Sequence, residues 1–188
     1  NSRRPRILLE KLPQWENNWK KKWLVEFACD MLAIYFVGPA YAWTNLKIAI
    51  ADPPEDIYDP EKESHPSHEA RMRAINEMLI MLDMNNHIIP IKNAWDELLS
   101  LPPYQKRPDN YSLAFPDILL QNLAFNIYQG CQKFGYLSYP EQLEKMDNPV
   151  SKVMNEAWDV LRNNPTKYPS WEKENIKTLH QKFNYESS

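Results

Sequence analysis

Proline, at 16 of 188 residues against only three glycines, constrains this chain more than any other feature. Glycine is what tight primed turns, β-bulges and phosphate-cradling loops require, because it alone enters left-handed backbone without steric cost. So few glycines argue against β-sandwiches and against Rossmann or P-loop nucleotide sites. The prolines bunch between apolar stretches of helical period, which is the pattern of helices joined by stiff loops. At 22.3 kDa, with 43% hydrophobic and 25% charged residues, the chain can bury a core without metal or disulfide staples.

Charge narrows the partners. A net charge of −3 and a pI near 5.9 give no general attraction to nucleic acid or anionic membrane. The charge is segregated, however: residues 1–22 carry seven Lys/Arg against Glu10 and Glu16, and residues 52–69 carry seven Asp/Glu against Lys62. Blocks of this kind are usually solvated surface. The charge-free stretch Met31–Trp43 is interrupted by Gly38-Pro39 and is shorter than the roughly 20 apolar residues of a membrane span. Cys29 and Cys131 show no C-x-x-C spacing and sit in apolar helical contexts. They read as buried free thiols, pointing to a reducing, cytoplasmic setting.

Trp15, Trp19, Trp23, Phe27, Met31, Ile34 and Tyr35 recur at three- and four-residue steps, predicting a helix from about Trp15 to Val37 with one buried stripe. Gly38 supplies its C-terminal cap and Pro39 the first turn of a second helix reaching Ala51. Residues 52–66 hold four prolines among acids and predict an exposed acidic loop. Ser67 caps a third helix to about Met84, and further helices are expected over Pro90–Leu101, Asp117–Phe134, Pro149–Asn163 and Ser170–Asn184. The whole predicts an all-α domain of about seven helices, orthogonally packed, with long Pro-rich loops. Residues 1–84 would form one helical part and 85–188 a C-terminal cover within the same compact domain.

Polar residues interrupt two of these apolar stripes. Glu26 and Asp30, four apart, stack on one side of the first helix, and buried carboxylates need a cation or a metal. His65, His68 and Arg71 follow the acidic loop, so carboxylate, imidazole and guanidinium can meet in one pocket. The alternative by spacing alone is a core salt bridge of Asp30 or Glu26 with Arg71, the histidines being surface and cap residues.

Glu26-Phe-Ala-Cys-Asp30, the following Met-Leu-Ala, Val-Gly-Pro-Ala, and later His65-Pro66 with Arg71-Met72 resemble the second half of HtpX-like and CAAX-prenyl-protease-like zinc metallopeptidases. The likeness covers about residues 23–82. In that family a His-Glu-x-x-His helix gives two zinc ligands and the general base, and a Glu-x-x-x-Asp helix gives the third ligand. The resemblance implies that Glu26 is a zinc ligand and Asp30 the carboxylate that orients a ligand histidine. It implies that His65 contacts substrate or oxyanion, and that Arg71 holds a carboxylate.

The chain also departs from that family. It contains no His-Glu-x-x-His: in His68-Glu69-Ala70-Arg71-Met72 a methionine stands where the second histidine belongs. Catalytic zinc needs three protein ligands, an open position and a base, and only one ligand is matched. Either the metal-binding helix precedes Asn1, or the scaffold has lost its metal. Two expectations follow. The first is the C-terminal part of a zinc peptidase acting on a peptide or protein substrate. The second is a non-catalytic interaction module that binds a protein partner, or a second copy, through its acidic loop 52–64 and basic segment 1–22. No Ser-His-Asp or Cys-His signature is present, and the Trp15, Trp19, Trp23 ladder with Lys20–Lys22 reads as core packing beside snorkelling lysines. The Tyr- and Pro-rich connection 104–116 is expected to pack over the helices.

Overall fold

The computed structural model describes residues 3–104, 106–145 and 148–185. Its first helical run is longer than the tryptophan stripe indicates. Helix α1 (Arg3–Asn18) continues through a π-helical turn (Trp19–Trp23) into α2 (Leu24–Val37), passing Pro13 on the way. The π turn follows from the spacing. Trp15, Trp19, Trp23, Phe27 and Met31 are four apart, and each such step overshoots a 3.6-residue turn by about 40°. A wider turn in the middle takes up that drift, so Trp15, Trp23, Phe27 and Met31 are all buried while Trp19 lies half-buried beside them.

Gly38, at φ 81°, forms the joint to α3 (Pro39–Ala51), with Pro39 in its first turn. A Cβ at Gly38 would also run into the ring of Tyr139, so both conformation and space demand glycine. The acidic stretch that follows is mostly irregular, with one 3₁₀ turn at Pro54–Ile57. Ser67 then caps α4 (His68–Met81), its side chain accepting from the Ala70 N–H at 3.4 Å. This helix ends three residues before Met84, where the sequence pattern runs on, because Asp83 adopts a left-handed φ of 54°.

Helix α5 (Asn85–Ser100) starts before Pro90 and carries it internally, so the proline does not open the helix as its position suggests. The 102–116 connection contains a 3₁₀ turn (Pro102–Tyr104) and a single helical turn, α6 (Tyr111–Ala114). After α7 (Asp117–Lys133) comes the short α8 (Tyr139–Lys145), absent from the sequence expectation, and then α9 (Pro149–Asn163) and α10 (Tyr168–Tyr185).

The fold is all-α, with no strand among the described residues. Helix α4 is the central element and packs against α2, α3, α5 and α7. Its buried residues therefore point several ways: Ala70, Met72, Ala74, Ile75, Met78 and Leu79 are all within the core. One apolar cluster runs from Trp15 to Tyr139 and takes residues from both sides of position 84. Cys131 is buried, but Cys29 is exposed, correcting the expectation of two buried thiols: the buried positions of α2 are Phe27, Asp30, Met31, Ile34 and Tyr35. Among the described residues no helix is long and apolar enough to cross a membrane.

Candidate functional site

The packing of α2 on α4 fixes the polar residues that interrupt their stripes. Asp30 is 1% exposed, and Arg71 grips it with both prongs of its guanidinium: Nε donates to Oδ2 at 2.8 Å and Nη2 to Oδ1 at 2.7 Å. Tyr41, in the first turn of α3, donates its hydroxyl to Oδ1 of the same carboxylate at 2.5 Å. Burial alone would lower the Arg71 pKa, but the hydrogen bonds and charge of Asp30 outweigh it, and the guanidinium is held more firmly charged than usual. Burial, then the Asp30 charge, drives the Tyr41 phenol far above its ordinary value and keeps it a neutral donor.

Glu26 lies one turn before Asp30, with its side chain one-third exposed and its Oε1 3.4 Å from Nδ1 of His65. Arg71 hydrogen-bonds Asp30 and not Glu26, so the guanidinium chooses one of the two stacked carboxylates. His65 is more than half exposed at the mouth of a cleft of about 240 Å³. Glu26, Asp52, Asp56, Lys62, His68 and Arg71 line the same cleft. Four residues picked from spacing are thereby drawn together: Glu26 faces His65, and Asp30 anchors Arg71 behind them.

His68 is not the exposed cap residue that the salt-bridge alternative made it. It is 6% exposed, and its Nε2 lies 2.9 Å from Oδ2 of Asp52. Burial lowers its pKa against the opposing pull of Asp52, so the ring is held neutral. Across from it Lys62 Nζ meets Oδ2 of Asp56 at 2.6 Å, and the Trp23 indole N–H donates to the Lys62 carbonyl at 3.2 Å, tying the acidic loop to the first helix. Lys11 adds a second tie, to Glu61 at 2.5 Å. Part of the charge segregation is thus settled within the chain.

Sequence reasoning missed Tyr41, Asp52 and Asp56. Tyr41 becomes a partner of Asp30 only through the angle at the Gly38 joint, and Asp52 and Asp56 carry no signal beyond membership of an acidic block.

The zinc set implied by the metallopeptidase likeness does not assemble from these residues. Glu26 and His65 supply two donors, and among the described residues no third His, Cys, Asp or Glu joins them at ligand distance. No family model, curated protein or solved structure matches the chain, so the likeness rests on the quoted residues alone.

Proposed function

We propose that this chain is the substrate-side part of a zinc-metallopeptidase-like protein, with peptide hydrolysis arising only when a His-Glu-x-x-His helix is joined to it. The observation that supports the reading most is the meeting of Glu26 and His65 at 3.4 Å in a cleft braced from behind by the Asp30–Arg71 pair. In this reading Glu26 presents a carboxylate to the metal helix. His65, with Nδ1 against Glu26 and more than half of its side chain exposed, donates from Nε2 to the carbonyl oxygen of a bound peptide. Asp30 accepts from Arg71 and Tyr41, so in this reading it also positions α2 against α4. The direct test is the coding sequence ahead of Asn1. A His-Glu-x-x-His segment there, with zinc-dependent peptide cleavage lost in Glu26→Gln, is the expected result. No such segment within ~100 residues, the allowance for one preceding domain, overturns the catalytic reading.

A second reading is a non-catalytic module for a protein partner, favoured by Glu55 and Glu63, which stay exposed on the acidic loop, and by the incomplete ligand set. Partner binding that persists in Glu26→Gln and weakens steeply with salt is its signature.

A further inference from the structure

We propose that Asp52, Asp56 and His68 form a binding site for one divalent first-row metal ion, distinct from the zinc position that the peptidase reading assigns to Glu26. One carboxylate oxygen from each aspartate and one ring nitrogen of His68 all lie within 4.8 Å of one another. An ion with bonds of about 2.1 Å in octahedral geometry holds neighbouring donors about 3 Å apart, and Nε2 of His68 and Oδ2 of Asp52 are already separated by 2.9 Å. Closing the set then needs only a small turn of the Asp56 side chain, carried on the single 3₁₀ turn Pro54–Ile57.

The histidine points to a ligand independently of the acids. It is 6% exposed, it lines the cleft, and its Nδ1 has no hydrogen-bond partner. Facing a carboxylate, the neutral ring keeps its proton on Nε2, and Nδ1 is left as a buried acceptor accepting nothing. Moving that proton to Nδ1 breaks no bond there but gives up the Nε2–H bond to Asp52, and the Nε2 lone pair then faces the two carboxylates, an arrangement that a cation between them makes favourable. The ring thus reaches the metal-binding tautomer without losing a proton.

The charge around it also favours a cation. Glu26, Asp52 and Asp56 face the cleft against Lys62 and Arg71, and Arg71 is already gripped by the buried Asp30. Lys62 holds Asp56 at 2.6 Å with a side chain one-third exposed, so it can swing to solvent when an ion takes its place. Two carboxylates and an imidazole suit manganese, iron or zinc better than a soft, thiolate-seeking metal. The site does not rest on the peptidase reading: Glu26 is not one of its ligands.

Isothermal titration of the purified chain with manganese(II) chloride and, separately, zinc(II) chloride tests it. One ion per chain is expected, weakened at least tenfold in Asp52→Asn and in His68→Gln and much less in Glu26→Gln, which removes a nearby charge but no ligand. Lys62→Met removes the competing ammonium and is expected to tighten binding, a gain that a misfolded variant cannot mimic. Absence of stoichiometric binding, binding indifferent to both Asp52→Asn and His68→Gln, or binding not tightened by Lys62→Met each overturns the site.

Discussion

At the scale of single residues, the Asp30–Arg71 pair carries the most energy that one change can release. Asp30 is 1% exposed and the Arg71 side chain 16%, so neither has much solvent to fall back on. Replacing Arg71 by Met strands a buried carboxylate and is expected to cost about 3–5 kcal/mol, because the penalty is that of an unpaired charge. Asp30→Leu added to it removes the stranded charge and should recover part of the loss, less what Tyr41 forfeits when its acceptor disappears. Urea unfolding of the two variants checks both steps. An Arg71→Met chain within about 0.5 kcal/mol of the parent, the range of ordinary surface changes, would show that the pair is not holding α2 on α4. This pairing was legible in the sequence because a four-residue spacing and an isolated arginine on apolar faces leave few partners. The choice of Asp30 over Glu26 was not, since it depends on how far α2 slides along α4.

Among elements, the tryptophan ladder shows how a local irregularity serves the core. Its four-residue steps were legible, but the π turn that reconciles them with a buried face was not, because periodicity alone does not say where the drift is taken up. A π turn spends one residue more than an α turn on the same rotation, so deleting Lys21, an exposed residue within it, should return the segment to α-helix and leave the facing of α1 almost unchanged. Trp15, 2% exposed, is then expected to stay in the core, with stability within about 0.5 kcal/mol of the parent, the range of ordinary surface changes. A loss of about 3–5 kcal/mol, the range for removing a buried Trp side chain, would mean that Trp15 had left the core and that the turn does not act as a one-residue insertion. A second element-level tie is Tyr35 of α2, whose hydroxyl donates to the Tyr136 carbonyl at 2.7 Å and accepts from Gln132 at 3.0 Å, joining α2 to the end of α7. Burial pushes its pKa up to about 12. The folded chain therefore favours the neutral phenol. That stability is complete below about pH 10, the ordinary tyrosine value, and is lost as pH rises toward 12. Melting temperature followed from pH 9 to 12 should fall less steeply in Tyr35→Phe; an unchanged slope would remove Tyr35 as a cause.

For the molecule as a whole, the question is what ties the C-terminal helices to the site-bearing ones. The Gly38 joint leaves helix-end groups of α2 and α3 without intrahelical partners, and two side chains from α9 meet them. Asn155 accepts from the Ala40 N–H at 2.8 Å and donates to the Val37 carbonyl at 2.7 Å, while Ser151 donates to the Phe36 carbonyl at 3.3 Å. Trp158 stacks on Trp43 with ring centroids 6.4 Å apart, and the Arg162 guanidinium lies over the Trp43 ring, 3.9 Å from its centroid. None of this was legible in sequence, where α9 reads as one more amphipathic helix, because an Asn that caps a joint 115 residues away leaves no local signature. The angle between α2 and α3 sets where Tyr41 reaches Asp30, so α9 bears on the site although it contributes nothing to the cleft lining. Asn155→Ala should cost about 1–3 kcal/mol for each group left buried and unpaired, and the cost should appear in one cooperative transition, since a single cluster spans the chain. Tryptophan fluorescence and far-ultraviolet circular dichroism followed through the same urea titration are expected to coincide in parent and variant alike. Two separated transitions in Asn155→Ala, with α9 and α10 lost first, would mean that the C-terminal helices are an appendage and that the angle at Gly38 is fixed by Tyr139 alone.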